Sequence, residues 1–325
     1  MATALNALMG LPVVTFAAGP SPVHPMTRLR AALGSGCPTL LIKRDDLLSF
    51  ALGGNKVRKM QAIAAEAQAA GADALITCGA VQSNHARVTA AIGAALGLPV
   101  VLVLNGPPPS IARANLLLDQ LFGAEIEFVE SRGARESVME RVAADRRARG
   151  GRPFVIPLGA STVTGALGFA RAIGELAASG ASPDVIVHAS SSGGTQAGLI
   201  AGCALFGLRA RIFGVSADDS SAALRKTVTA LLTGMADRLG CAPSSAGVGI
   251  PIEVDDGFVG EGYGIPTAES SSALELVARR EGIVLDPVYT AKAMAGLLAR
   301  IHAGEFKNNE TILFWHTGGT PAFFV

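Results

Sequence analysis

The chain has 325 residues, 50% of them hydrophobic and 16% charged, which excludes a disordered chain and allows one or two domains around a large core. A formal net charge of +1, with no sustained run of one sign, speaks against nucleic acid or an anionic membrane as the main partner. The 39 glycines fit a layered α/β protein with many tight turns.

The stretch MATALNALMGLPVV has no basic segment and no convincing cleavage site, so no signal peptide is expected. A first strand is expected at 39–44 (TLLIKR). It is followed by ALGGNKVRKM (51–60), where two glycines and Asn55 precede a helix over 57–70. Asn55 is expected to cap that helix and to place Lys56 in its first turn. The helix dipole, burial and the like charges of Arg58 and Lys59 would each lower the pKa of Lys56. A neutral amine is what attack on a carbonyl carbon requires. Taken alone, the segment reads more simply as a Gly-Gly turn before a solvated basic helix.

A strand at 73–79 runs into CGAVQSNHARVTAA (78–91), where Ser83, Asn84 and His85 lead into a helix over 84–96. Polar side chains beside helix N–H groups suit a carboxylate or a phenolic oxygen. An ordinary cap by Ser83 or Asn84 is the simpler local reading, and His85 has no partner at metal-ligand spacing. Strands at 99–105, 124–130 and 153–159 alternate with helices over 112–121, 134–149 and 164–179; residues 106–111, with three consecutive prolines, read as a linker.

A strand at 184–190 ends in Ser190-Ser191-Ser192-Gly193-Gly194-Thr195, and a helix follows over 195–206. Backbone N–H groups and hydroxyls at that helix start make a seat for a phosphate dianion, or simply a turn. The loop is neither G-K-[ST] nor G-x-G-x-x-G, although Asp218 and Asp219 after the strand at 210–216 could imitate a ribose-binding acid. Residues 240–266 read as a second linker, and a last strand at 311–316 precedes Thr317. Alternating apolar strands and helices imply parallel sheets with right-handed crossovers, in two α/β lobes with a ligand between them. Four scattered cysteines form no C-x-x-C pair, so buried thiols in a reducing compartment are expected, with no zinc site.

A lysine amine, a phosphate seat and a carboxylate site on one α/β scaffold match pyridoxal phosphate with an amino acid. The set LIKRDDL, GGNKVRK, GAVQSNHAR, GGTQAGL, GYGIP, LDPVYTAKAMAGL and HTGGTPAFF, in that order, resembles the fold-type II pyridoxal-phosphate enzymes nearly end to end. Within them it is most similar to the D-cysteine desulfhydrase and 1-aminocyclopropane-1-carboxylate deaminase family. The resemblance implies two open, twisted, mainly parallel-sheet lobes of the tryptophan-synthase-β type. The large, cofactor-binding one is formed by 1–59 and 169–325, and the small one by 60–168. It implies that Lys56 joins the cofactor's aldehyde and that Asn84 contacts the phenolic oxygen. Ser192, Gly193, Gly194 and Thr195 would hold the phosphate with Lys59, and Thr290 and Thr317 would add further cofactor contacts. The substrate carboxylate would fall to Ser83, Asn84 and His85. Proton transfer would fall to Lys56, Ser83, Tyr263 or Tyr289, the last two being the only tyrosines in the chain.

Where the deaminase carries Tyr-Glu, this chain reads Tyr289-Thr290, as the desulfhydrase does. A neutral hydroxyl supplies no charge to the pyridine nitrogen, which disfavours ring opening relative to β-elimination. A plain helix cap by Thr290 is the alternative. His85 stands where the deaminase has an amide, which bears on the carboxylate side. The expected activity is β-elimination from a small amino acid, foremost D-cysteine, by a cytoplasmic homodimer. L-cysteate sulfo-lyase and cyclopropane-carboxylate deaminase are close variants. A nucleotide-dependent reductase is a rival, and it lacks the glycine fingerprint. A non-catalytic amino-acid-binding protein is another, and it would have no need of Lys56.

Overall fold

The structure is a computed structural model, and it describes residues 2–17 and 19–325. The first part of the chain runs α1 (Ala2–Gly10), β1 (Val23–Pro25), α2 (Thr27–Leu33), β2 (Thr39–Arg44) and α3 (Asn55–Ala69). Then follow β3 (Ala74–Ala80), α4 (Asn84–Leu96), β4 (Val100–Asn105), α5 (Ala114–Leu121), β5 (Glu125–Val129), α6 (Ala134–Ala148) and β6 (Pro153–Ile156). The rest comprises α7 (Val163–Ala178), β7 (Val185–Ser190), α8 (Gly194–Phe206), β8 (Arg211–Ser216) and α9 (Ser221–Leu239). It closes with β9 (Glu253–Asp255), α10 (Ala268–Glu281), α11 (Thr290–His302) and β10 (Thr311–His316).

The strands form two sheets, ordered β1-β2-β10-β7-β8-β9 and β5-β4-β3-β6. Every pairing is parallel except that of β1 with β2. Parallel strands are covered on both faces, and the apolar runs alternate between two cores accordingly. Leu313 and Trp315 of β10 face one core with α7 and α8, while Ile312 and Phe314 face the other with α11. In the second sheet Leu102 and Leu104 face α3 and α4, and Val101 and Val103 face α6. The mainly parallel α/β architecture expected from the sequence is thus present.

The strands of the second sheet all lie within 60–168 and those of the first outside it. The division of the chain at those positions stays a proposal, with both boundaries inside helices, α3 and α7. The linker reading of 240–266 is corrected. β9 pairs with β8 there, Ala246 is buried, and Lys292 Nζ donates to the carbonyls of Val259 (2.7 Å) and Gly262 (2.9 Å). A buried ammonium satisfied by two backbone oxygens fixes this glycine-rich loop in place. Among the described residues, no helix is long and apolar enough to cross a membrane.

Candidate active site

A cleft of about 840 Å³, its open mouth included, lies at the carboxyl ends of β3, β4, β7, β8 and β10. Such sheets bind ligands at these ends, where loops and helix N-termini converge. Lys56, Ser83, Asn84, His85 and Tyr263 line it, as do Ser192, Gly193, Thr195, Tyr289 and Thr317. Lys59, Gly194 and Thr290 do not.

Lys56 lies in the first turn of α3, but Asn55 is not the cap. Gly54 holds that position at φ +102°, with no side-chain cap, and a Cβ there would stand 2.9 Å from the carbonyl oxygen of Thr317. Asn55 instead donates its backbone N–H to that oxygen (3.0 Å) and its side-chain amide to Thr195 Oγ1 (2.9 Å). Ala51, Leu52, Gly53 and Gly54 all have positive φ, a strained run that costs of order 1–3 kcal/mol at each non-glycine position. The expected influence of Arg58 is also corrected. Its guanidinium turns away to Asp45 (2.8 Å) and Glu175 (2.7 Å), tying α3 to the turn after β2 and to α7. Close packing alone lowers the Lys56 ammonium to about 8.

Opposite Lys56, α8 begins at Gly194 behind Gly193, which has φ +74° and offers no side-chain cap. Lys59 Nζ reaches Gly159 O (3.3 Å) and Ser161 Oγ (3.4 Å), and Ser161 donates to Ser192 Oγ (2.7 Å). A Cβ on Gly194 would come within 2.8 Å of Ser161 Oγ and 2.9 Å of Lys59 Nζ, so a side chain there would push both groups out of place. Burial, and then the charge of Lys56, hold Lys59 well below the usual lysine range. Among the described residues no carboxylate pairs with either lysine. A half-buried lysine, Lys56, and a buried one, Lys59, beside an uncapped helix N-terminus make a seat for an anion. Gly159, Ser161 and the amide of Asn55 were not read as site residues. The expected strand at 153–159 hid the first, since β6 ends at Ile156 and Gly159 turns the chain at φ +67°.

At α4, Ser83 Oγ accepts from Ala86 N–H (3.2 Å), which leaves its hydroxyl proton free for the cleft. The ring of His85 is differently committed. Thr77 donates its one hydroxyl proton to Ile156 O (2.7 Å), so His85 Nε2, 2.8 Å away, must donate to Thr77. Burial, then Lys56 and Lys59, hold the imidazole well below its usual pKa, and Nδ1 is a bare acceptor without a partner. The neutral ring has no proton for a carboxylate; the Ser83 hydroxyl, the Asn84 amide and the N–H groups of the first turn of α4 do.

At the mouth the hydroxyls of Tyr263 and Tyr289 are hydrogen-bonded to each other, with ring centroids 5.7 Å apart. Burial raises both, Tyr289 well above the usual phenol range, so each stays protonated. Arg132 lies 5.0 Å from the Tyr263 ring centroid and pairs with Asp218 (2.9 Å). Arg135 lines the cleft beside it and donates to Asn105 Oδ1 (3.3 Å). Neither arginine belongs to a motif that stood out in the sequence, and Asp218 is spent on Arg132.

Thr290 opens α11 away from the cleft. Its N–H and hydroxyl both bond Asp286 Oδ1 (2.8 and 2.6 Å), and the hydroxyl accepts from Asp286 N–H (2.8 Å). The helix-cap alternative is corrected too: Tyr289 holds the cap position without a side-chain cap, the Asp286 carboxylate accepts from the N–H groups of Tyr289 and Thr290, and Thr317 occupies the cleft wall instead.

The chain matches the family described as pyridoxal-phosphate dependent enzyme over residues 14–318. The solved structure of an ACC deaminase homologue superposes with a TM-score of 0.91 at 35% identity, covering 100% of this chain and 97% of that one. The processed form of threonine deaminase isoform 2 from Solanum lycopersicum gives 0.69 at 19% identity over 97% of this chain and 83% of that one. A fungal L-serine ammonia-lyase from Rhizomucor miehei gives 0.67 at 16% identity over 93% and 94%. The last two show the fold alone.

Proposed function

We propose, for a chain that belongs to the pyridoxal-phosphate dependent enzyme family, that it eliminates the β-substituent of a small amino acid, foremost D-cysteine. With water, D-cysteine would yield pyruvate, ammonia and hydrogen sulfide. The residues of the cleft fit the cofactor. Lys56 offers an amine that is neutral in part near pH 8, and Lys59, Ser192, Gly193, Gly194 and Thr195 offer the phosphate an anion seat lacking any carboxylate. When bound, pyridoxal phosphate supplies an electron sink for the bond breaking at Cα.

The chain's own groups supply the rest. The Ser83 hydroxyl and the N-terminus of α4, with the backbone N–H of Asn84, hold the substrate carboxylate and so set which Cα bond faces Lys56. Lys56 Nζ takes the Cα proton. The hydrogen-bonded hydroxyls of Tyr263 and Tyr289, both kept protonated, offer a proton to the departing sulfur.

One observation carries elimination over ring opening: the cleft presents no unpaired carboxylate among the described residues, since Asp218 is bonded to Arg132. A ring nitrogen without an anionic partner is a weaker electron sink, sufficient when the leaving group departs from Cβ. A second reading, loss of sulfite from L-cysteate, is favoured by Arg132 and Arg135, whose guanidinium groups suit a sulfonate. Free cysteines fit the proposed cytoplasmic setting, and homodimeric assembly belongs to the same proposal. Pyruvate release from D-cysteine, L-cysteine, L-cysteate, D-serine and the cyclopropane amino acid tests the reading, with light scattering for the assembly.

A further inference from the structure

We infer that Arg87, anchored on the turn before Lys56 and assisted by Asn115, is a positioning residue that fixes which end of the Asn84 amide meets the cofactor. The inference rests on the reading of the cleft as the pyridoxal-phosphate site. Arg87 is 1% exposed, in α4, and among the described residues no carboxylate lies within ion-pair distance of it. Four of its five N–H groups are used. Nε donates to Ala51 O (2.9 Å) and Nη2 to Gly53 O (3.1 Å), so the positive-φ turn grips one edge of the guanidinium. Nη1 donates to Asn84 Oδ1 and Asn115 Oδ1, each at 2.6 Å.

A guanidinium has no acceptor, so the oxygen of Asn84 has to face it. Asn115 Nδ2 donates to that same oxygen (3.0 Å), and Asn115 is itself fixed by Gln82, through Gln82 O (2.8 Å) and Gln82 Oε1 (2.9 Å). The amide nitrogen of Asn84 makes no hydrogen bond within the described chain, and Asn84 lines the cleft. It therefore enters the site only as a donor, which suits an oxygen carrying negative charge. A flipped amide would turn its oxygen toward that charge and two N–H groups toward Arg87. The network forbids this at both ends. Lysine keeps the charge at position 87 but cannot reach four acceptors in one plane.

The test compares wild type, Arg87→Lys, Asn84→Ala and the double variant. Each is stripped of cofactor and titrated with pyridoxal phosphate, with dissociation constant and visible absorbance maximum as readouts. Arg87→Lys is expected to weaken binding about tenfold in the wild-type background and no more than about threefold when Asn84 is already alanine. The absorbance maximum should move in both single variants and no further in the double. An equal loss in the two backgrounds, or an unmoved maximum in Arg87→Lys, overturns the inference. If Arg87→Lys fails to fold, Asn115→Ala takes its place with the same coupling expected. The readouts hold whichever amino acid is the substrate, so a negative D-cysteine assay defeats the proposed function and leaves this result standing.

Discussion

Lys56 and Lys59 direct their ammonium groups at one carbonyl oxygen, that of Gly159, from 3.5 and 3.3 Å. Residues three apart share a helix face, so α3 delivers both amines to the same side of the cleft. Burial lowers Lys56 to about 8, and burial with the charge of Lys56 holds Lys59 well below the usual lysine range. A phosphate dianion beside Lys59 would supply the missing countercharge, leaving Lys56 as the nucleophile.

Capture of pyridoxal phosphate by the apo-protein should therefore quicken as pH rises through about 8 and level off above it. The sign follows from the neutral amine being the attacking form. Stopped-flow absorbance gives the profile, and a rate that does not change across this range would place the nucleophile elsewhere. Lys56→Ala should remove the visible band of the bound cofactor and all turnover.

The phosphate seat is tested at Thr195. Its hydroxyl already accepts from Asn55, so its proton is free for an anion. Thr195→Val should weaken cofactor binding by about 1–3 kcal/mol, the usual cost of losing a hydrogen bond to a charged group. Lys59→Met should weaken it further. Titration of the apo-proteins measures both, and unchanged affinity in the pair would move the phosphate away from α8.

At Thr290 the geometry favours stability over electronics. Thr290→Val removes a hydroxyl that donates to Asp286 Oδ1 and accepts from Asp286 N–H, at a cost of about 1–3 kcal/mol in unfolding free energy. The visible spectrum of the bound cofactor should stay as in wild type. A shifted spectrum with unchanged stability would restore Thr290 as a group that acts on the ring.

The strand and helix periodicities were legible because β3, β4 and β7 are apolar along nearly their whole length. Lys56, Ser83 and the Ser192–Thr195 loop were legible because each sits at a turn entering a helix, where residue type and chemistry coincide. β1 and β9 were not, since three residues show no period. Arg132, Arg135 and Ser161 were not, because only the folding of distant loops onto one cleft distinguishes them from surface polar residues. His85 was half legible: its position was evident, while its tautomer depends on the bond that Thr77 makes to Ile156, far away in the chain.

Asp119 gives a stability signature outside the cleft. Its carboxylate is buried without a hydrogen-bond partner, and burial raises it to about 8, opposed by Arg87. The folded pKa exceeds the unfolded one, so Asp119 contributes stability at low pH that is lost as pH rises through about 8. Asp119→Asn should raise the melting temperature relative to wild type above pH 8, and by less well below it. Calorimetry across this range decides; a pH-independent difference would mean that the carboxylate does not titrate there.

The central claim, elimination from a small amino acid at Lys56, is tested most directly by measuring pyruvate and sulfide together from D-cysteine. The holoenzyme should release the two in equal amounts. Release should vanish in Lys56→Ala, and the cyclopropane amino acid should give no ketoacid. Ketoacid from the cyclopropane substrate, with none from D-cysteine or L-cysteate, would contradict the account.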